Sequence, residues 1–460
     1  MSKYKGKKVL VVGFGKSGVS VAKYMARQGA RVIVTDMKQK SELTESVNAC
    51  AELKIEYELG KHNNKTFHVA ELIVLSPGVP PTLKPLEEAR EKRIPITNEI
   101  ELAASVLKAP LIAITGTNGK TTTTTLIGEI FAAAKQDAYV GGNIGKPMLD
   151  CFNENCKADV AVAELSSFQL ELTERLIPAV AVFTNLEEDH LDRYPDMHSY
   201  VAAKKKLLTA CDKNSFVVLN YDDPIVSKFA DECQGKIIWF TKKDPMEIGG
   251  SFAERFCGAY YQADQKKIYA KFNGKEEVYD VSAFRLYGDH NKENLMAAIC
   301  AARVMKVSQQ AIQSVIQSFK GVPHRLEFVR RKDGVYFFND SKGTNVMSVK
   351  RSLGAFQNNP IILIAGGKDK NSDFTPLVDL VRKRCKSLIL VGEAKEKINR
   401  AIGDFAETFL VGTFEEAILM AYQKSRTGDI ILLSPGCASY DMFRNFEERG
   451  EYFKKIVNQL

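Results

Sequence analysis

Residues 111–122 read LIAITGTNGKTT. A short apolar run of buried-strand type ends at Thr115, the loop Gly116-Thr117-Asn118-Gly119 follows, and Lys120-Thr121 opens a Thr-rich helical stretch. A strand that runs through a glycine loop into a helix is the context of a phosphate-binding loop. Backbone N–H groups of such a loop cradle phosphate oxygens, the lysine reaches the β/γ-phosphates, and the next hydroxyl is offered to Mg²⁺. The stretch departs from the general GxxxxGK[ST] pattern, because position 114 is Ile. A Thr-rich helix start with no ligand would leave Gly119-Lys120, placed just after a buried strand, without a purpose.

Outward from this loop, other strand ends bring polar residues to the same edge. The run DVAVAE ends in Glu164, and AVAVFTN leads into Glu187-Glu188-Asp189-His190-Leu191-Asp192. Carboxylates at strand ends beside a phosphate loop suit Mg²⁺, which keeps only one or two protein carboxylates. His190 alone would read as a surface group; beside a phosphate loop it reads as functional. Asn143 in GGNIG follows the same logic, since its flanking glycines permit close approach of backbone to ligand. Lys204-Lys205-Lys206 reads as a solvated helix face at Lys205 and Lys206, and an unmodified ammonium cannot ligate a cation.

Short Val/Ile/Leu-rich runs alternate with helical stretches along the chain, the pattern of parallel strands with crossover helices. Strands are expected near 7–12, 31–35, 71–75 and 94–96, then near 111–115, 159–164, 178–183 and 216–220. A polar, β-like stretch near 236–282 and a helix from about 291 close the second block. The third block has strands near 335–338, 360–365, 387–391, 408–411 and 430–433. Breaks near 98 and 321 predict domains over 1–98, 99–321 and 322–460; at the second, Gly321 and Pro323 end a helical segment. The expected fold is α/β with three domains: an N-terminal Rossmann-like domain, a central P-loop ATPase-type domain with a mixed sheet, and a C-terminal Rossmann-like domain.

In the first block the strand KKVLVVG runs into Gly13-Phe14-Gly15-Lys16-Ser17-Gly18, and Asp36 closes the next strand. This matches a dinucleotide fingerprint, in which glycines let a diphosphate approach a helix N-terminus and the acid meets a sugar hydroxyl. Ser76-Pro77-Gly78 follows another strand at the same edge. The fingerprint leaves open which nucleotide is held; NAD is one reading.

The 460 residues carry 45% hydrophobic and 26% charged side chains, ordinary for globular domains. A net charge of +8, from 64 basic against 56 acidic residues, suits anionic substrates such as nucleotides. It is too dilute, with no long basic block, to predict a nucleic-acid partner. Nine scattered cysteines without a CxxC pair read as reduced thiols of a cytoplasmic protein. The basic-then-apolar start has too short an apolar run for a signal peptide and reads as a first strand. No run is long enough to span a membrane.

TGTNGKTTTT, GGNIGKP, AELSSFQLE, NLEEDHLDRY, YVAAKKK, GDHNKENLMAA, GVPHRLE and NDSKGTN together, in this order and spacing, resemble the Mur ligases. The short GTNGKT form is how that family writes its phosphate loop. The resemblance implies a monomeric, ATP- and Mg²⁺-dependent amide ligase whose first domain holds UDP rather than NAD. Gly15, Lys16, Ser17, Asp36, Ser76, Pro77, Gly78, Asn143 and His190 then face the UDP-substrate. Gly116, Thr117, Asn118, Gly119, Lys120, Thr121 and Thr122 hold ATP phosphates. Asn291 and Asn294 hold adenine, and His324, Arg325 and Asp340 supply further adenine, phosphate and ribose contacts. Thr121 and Glu164 correspond to ligands of one Mg²⁺; His190 and a carbamylated Lys204 correspond to ligands of a second. Lys120, Glu164, His190, Lys204 and Arg325 would carry the catalysis. NDSKGTN, LSSFQLE and SPGCASYDMFRNFEERG resemble the members that add D-glutamate to UDP-N-acetylmuramoyl-L-alanine. Lys342, Thr344, Lys370, Ser439, Tyr440 and Phe446 would meet the amino acid, with Lys368 an alternative to Lys370 and Tyr440 standing where Leu is common. The remaining readings are another Mur-type or a folylpolyglutamate-type amide ligase, an NAD-dependent oxidoreductase and a P-loop switch or partition ATPase.

Overall fold

The computed structural model describes residues 2–189, 193–286, 288–356, 359–369 and 371–460. His190 and Lys370, both expected in the site, lie outside these residues. Two compact units emerge, one of residues 1–283 and 292–318, the other of 284–291 and 319–460.

The first unit holds two sheets. The N-terminal one contains β1 (Lys8–Val12), β2 (Arg31–Asp36), β3 (Ile55–Leu59), β4 (Leu72–Leu75) and β5 (Ile96–Asn98), all parallel in the order β3-β2-β1-β4-β5. β1 is KVLVV and buried from its second residue on, because helices cover both faces of a parallel sheet and no alternation is needed. The strand order reverses between β1 and β4, which opens a crevice beyond their carboxyl ends.

The larger sheet contains β6 (Leu111–Thr115), β7 (Ala138–Gly142), β8 (Val160–Glu164), β9 (Val180–Phe183), β10 (Phe216–Asn220), β11 (Lys236–Thr241), β12 (Gly258–Gln262), β13 (Lys267–Phe272) and β14 (Lys275–Asp280). Its order is β14-β13-β12-β11-β10-β9-β6-β8-β7, parallel except for the antiparallel β12-β13-β14 meander. The polar β-like stretch is thus β11 to β14. Asn273 (φ 52°) and Gly274 (φ 75°) turn the last hairpin, the left-handed pair that a tight primed turn requires. β6, β8 and β9 are buried throughout and are interior strands of the sheet. Polar contacts join the two sheets' layers: Ser20 Oγ donates to Asp150 at 2.6 Å, and the Leu149 amide donates to the buried Glu99 carboxylate at 2.6 Å.

The second unit carries β15 (Glu327–Lys332), β16 (Val335–Asn339), β17 (Ile361–Gly366), β18 (Cys385–Val391), β19 (Glu407–Leu410) and β20 (Ile430–Leu433). Their order is β15-β16-β20-β17-β18-β19, with only the β15-β16 pair antiparallel. The fold class therefore matches the expectation from sequence. Three strands were not foreseen, β3, β7 and β15, and each is a sheet edge. Edge strands are half exposed and tolerate charge or glycine, as EFVRRK and AYVGG show, so they lack the apolar run that marks a central strand. Among the described residues no helix is long and apolar enough to cross a membrane.

Candidate active site

The loop after β6 is shaped by its glycines. Gly116 (φ 142°) and Gly119 (φ 80°) occupy backbone regions that side chains rarely enter, and an added Cβ would lie 2.0 Å from Thr184 Oγ1 or from Asn294 Oδ1 respectively. Gly119 caps the helix Lys120–Ala133 without a side-chain bond, so the helix start is presented to a ligand. The segment after β9 holds the loop from the side. Asn185 O accepts from Thr117 N at 2.8 Å, Asn185 Oδ1 accepts from Asn118 N at 2.9 Å, and Thr184 Oγ1 donates to Asn118 O at 2.5 Å. Thr117 Oγ1 also lies 3.1 Å from the Tyr200 hydroxyl. Lys120 folds back, its Nζ donating to Gly116 O at 2.9 Å and Thr117 O at 2.8 Å. A cation resting on carbonyl dipoles at a helix start is poised for an anion. Thr121 and Thr122 are buried at the start of the helix.

β8 pairs with β6 so that Glu164 stands beside Ile114, one strand away from the loop. The Glu164 side chain is buried; Oε1 accepts from Asn143 Nδ2 at 2.8 Å, whereas Oε2 is buried with no hydrogen-bond partner. An unsatisfied buried carboxylate oxygen is costly, and a cation satisfies it. The donor set of Glu164 with the Thr121 hydroxyl therefore fits a hard divalent ion such as Mg²⁺. Among the described residues no cluster of three or more His, Cys, Asp or Glu side chains could hold a metal unaided.

Lys204 lies in the helix Met197–Thr209 and is 2% exposed. Its Nζ donates to Gly116 O at 2.8 Å and sits 4.8 Å from the Tyr200 ring centre. Burial, and then the nearby Lys120, hold its pKa well below the usual lysine range, against the opposite pull of Asp189 and Glu164. The neighbouring lysines differ as expected: Lys206 is exposed, and Lys205 pairs at 2.5 Å with Glu232 at the surface.

At the switch point of the N-terminal sheet, Gly13 (φ 88°) turns the chain out of β1, and a Cβ on Gly18 would lie 2.0 Å from Gly13 O. Gly15 and Lys16 are exposed at the start of the helix Lys16–Arg27. Both Asp36 oxygens hold backbone, Oδ2 accepting from Phe14 N at 2.7 Å and Oδ1 from Lys38 N at 2.8 Å. The acid at the end of β2 thus braces the loop that faces the crevice. Ser76 Oγ donates to Gly13 O at 2.9 Å, which places Ser76-Pro77-Gly78 against the same loop.

In the second unit the predicted residues gather at the carboxyl ends of β16, β17 and β20. His324 adopts φ 64° and is buried, its Nδ1 3.0 Å from Asn339 Nδ2, with its pKa lowered by burial. Asp340 Oδ2 accepts from Ser352 Oγ at 2.7 Å and Ser434 Oγ at 2.8 Å, and burial raises its pKa to about 6. Lys342 Nζ lies 3.8 Å from the centre of the half-buried Phe446 ring. Ser439 is buried, whereas Tyr440 is 68% exposed. Asn291 is buried beside His290, and Arg325 and Thr344 are half-buried.

Several residues of the site were not anticipated. Thr184, Asn185 and Tyr200 shape the phosphate loop; the polar pair after the apolar run of β9 was a usable signal, but Tyr200 reaches the loop only through helix packing. Arg193 is another. Its Nη1 donates to Pro77 O at 3.1 Å, its Nη2 to Glu171 Oε2 at 2.7 Å, and its guanidinium stacks 4.0 Å from the Phe168 ring centre.

Three family profiles match the chain in succession: the MurD-like N-terminal domain of Mur ligases over residues 7–98, the Mur ligase middle domain over 114–302, and the Mur ligase glutamate ligase domain over 324–437. A Bdellovibrio bacteriovorus protein named UDP-N-acetylmuramoylalanine–D-glutamate ligase is 46% identical over 100% of this chain and 99% of its own length. A Geotalea uraniireducens protein of the same name is 45% identical over 99% and 98%. Among solved structures, UDP-N-acetylmuramate-alanine ligase from Thermotoga maritima is similar with a TM-score of 0.59 and 19% identity, covering 98% of this chain and 99% of that one. The Thermotoga maritima MurF ligase in complex with ADP is similar with a TM-score of 0.59 and 16% identity over 99% and 96%.

Proposed function

This chain belongs to the Mur ligase family, and on that premise we propose that it joins D-glutamate to UDP-N-acetylmuramoyl-L-alanine with cleavage of ATP to ADP and phosphate, a step of peptidoglycan precursor synthesis. Full-length identity of 46% to a relative named for that reaction carries the reading. The site supports it with a glycine-shaped phosphate loop next to a buried carboxylate oxygen that lacks a partner.

The γ-phosphoryl group of ATP passes to the terminal carboxylate of the UDP-substrate, forming an acyl phosphate and ADP. The amino group of D-glutamate then attacks the acyl carbon; the C–O bond to phosphate breaks and an amide forms. Gly116 to Thr122 receive the ATP phosphates, with Lys120 leaving the carbonyls of Gly116 and Thr117 for phosphate oxygens. Glu164 Oε2 and the Thr121 hydroxyl would hold Mg²⁺, which when bound neutralises charge on the transferring phosphoryl group. Rate acceleration comes mostly from alignment of the reacting atoms and this neutralisation. The Gly15–Ser17 helix start and Ser76–Gly78 hold the uridine diphosphate. Asn294, against Gly119, is assigned to the nucleotide, as are Asn291, His324, Arg325 and Asp340. Lys342, Thr344, Ser439 and the Tyr440 backbone receive the amino acid. These residues and domains over 1–98, 99–321 and 322–460 are our assignment.

Lys204 is read as carbamylated. An ammonium 2% exposed, whose hydrogen bond goes to a carbonyl, is an expensive arrangement. Addition of CO₂ to the neutral amine forms an N–C bond and releases a proton, and the resulting carbamate, with His190, would supply ligands for a second Mg²⁺.

The reading is tested by phosphate release with ATP, Mg²⁺ and UDP-N-acetylmuramoyl-L-alanine against a panel of amino acids. Release is expected with D-glutamate, and at a far lower rate with L-glutamate, L-alanine or diaminopimelate. Release that needs no amino acid, or prefers another one, overturns the assignment.

A further inference from the structure

Among the described residues Arg449 is the largest fully buried side chain, with 0% exposure. All its donors are used. Nε donates to Ser341 Oγ at 3.0 Å, Nη2 to Ser341 O at 2.9 Å and Cys437 O at 3.2 Å, and Nη1 to Cys437 O at 3.2 Å and Ala438 O at 3.3 Å. Every acceptor is a backbone carbonyl or a hydroxyl, none a carboxylate. Burying a guanidinium without a bonded carboxylate is costly, so a merely structural clamp would be better made from neutral groups. Asp441 and Asp340 are near enough to favour its charged form, but burial still lowers its pKa to about 10.

The contacts of Arg449 coincide with the segments assigned to the amino acid. Ser341 precedes Lys342 and Thr344, and its hydroxyl donates to Phe446 O at 2.8 Å. Cys437 and Ala438 precede Ser439 and Tyr440. Ala438 is bridged to Lys368 in both directions, Lys368 N to Ala438 O at 2.9 Å and Ala438 N to Lys368 O at 3.1 Å. A Cβ on the adjacent Gly367 would lie 3.2 Å from Arg449 Nη1. One cation thus bonds Ser341, Cys437 and Ala438 and lies next to Gly367, at the roots of the segments that carry Lys342, Thr344, Ser439 and Tyr440. Because a peptide unit is planar and trans, fixing its carbonyl inward aims its N–H the opposite way. The Ala438 carbonyl, held by Arg449, directs the Ser439 amide away from the guanidinium.

We propose that Arg449 is a positioning residue for the incoming amino acid: it holds the loops that carry Lys342, Thr344, Ser439 and Tyr440 in register and adds its charge beneath them, favouring a doubly anionic side of D-glutamate without touching it. This rests on the D-glutamate reading given above. The charge accounts for a cation where a neutral clamp would otherwise suffice, and the shared segments account for its geometry.

Steady-state kinetics of Arg449→Lys and Ser341→Ala test it, with each substrate varied in turn in the full-length enzyme. Lys keeps the charge but makes fewer bonds; Ala at 341 removes one acceptor and leaves the charge, so it is the milder change to folding. Both variants are expected to raise KM for D-glutamate, Arg449→Lys by about tenfold, equivalent to about 1.4 kcal/mol. KM for ATP and for the UDP-substrate should stay within about twofold on that scale. A role confined to stability would lower the active fraction, reducing kcat with all KM values unchanged. An unchanged KM for D-glutamate in Ser341→Ala, or an equal rise in all three KM values in either variant, overturns the proposal even if Arg449→Lys does not fold. Wild-type enzyme without D-glutamate-dependent turnover would instead refute the reading on which it rests.

Discussion

The three consecutive lysines after Tyr200 look alike in sequence, and the fold separates them. Lys204 points inward to Gly116 O, Lys205 meets Glu232, and Lys206 reaches the Glu171 carbonyl at the surface. Helical geometry explains this, since successive residues are turned by about 100° and only one of three neighbours can face the sheet. If Lys204 is carbamylated, Lys204→Ala should lose nearly all ligation and recover part of it when a small carboxylic acid fills the cavity with an oxygen ligand. Lys205→Ala and Lys206→Ala should retain most of the wild-type rate. Turnover assays of the three variants side by side, with and without acetate, decide it; a fully active Lys204→Ala would remove the carbamate. Mass spectrometry is a poor substitute, because carbamates revert when the protein unfolds in acid.

Elements differ in how much freedom their turns allow. Gly119 and Gly274 both have positive φ, 80° and 75°, but only Gly119 has a neighbour in the way, Asn294 Oδ1 at 2.0 Å from an added Cβ. Gly274→Ala should therefore cost only backbone strain, about 1 kcal/mol, and leave catalysis alone. Gly119→Ala must also displace Asn294 or the helix start, so it should destabilise by roughly 2–4 kcal/mol and abolish turnover. Urea unfolding and phosphate release measure the two effects; equal behaviour of the two variants would mean that the loop is not held by Asn294. The unforeseen strands belong at this scale as well. β3, β7 and β15 pair on one side only, and their sequences carry charge or glycine because one side meets solvent. No apolar run announces such a strand; the neighbour that offers hydrogen bonds creates it.

At the scale of the molecule, the Gly13–Gly18 fingerprint is compatible with any nucleotide diphosphate, and only its surroundings choose. Asp36 accepts from the Phe14 and Lys38 amides, which commits the carboxylate to bracing the loop and leaves each oxygen at most one lone pair for a sugar hydroxyl. UDP should therefore raise the melting temperature of the full chain and NAD should not. A ligand at a hundredfold excess over its dissociation constant stabilises by about 2.7 kcal/mol, well within a thermal-shift measurement. A shift with NAD and none with UDP would reverse the assignment of the first sheet.

The sequence by itself determined the fold class, the interior strands and the glycine loop that ends at Lys120, because each is written in local, contiguous signals: apolar runs for buried parallel strands, glycines where φ must be positive, and a lysine after Gly119. It also carried the family, because the motifs recur in a set order. Tertiary structure alone decided which of three lysines is buried, that Glu164 Oε2 lacks a partner, that Asp36 and Asp340 bond within the protein, and that Arg449 gathers the 341, 367–368 and 437–438 segments. Those facts depend on side chains distant in sequence competing for the same donors and acceptors. Hydrogen-bond satisfaction is settled only when all the partners are in place, and no local pattern encodes it.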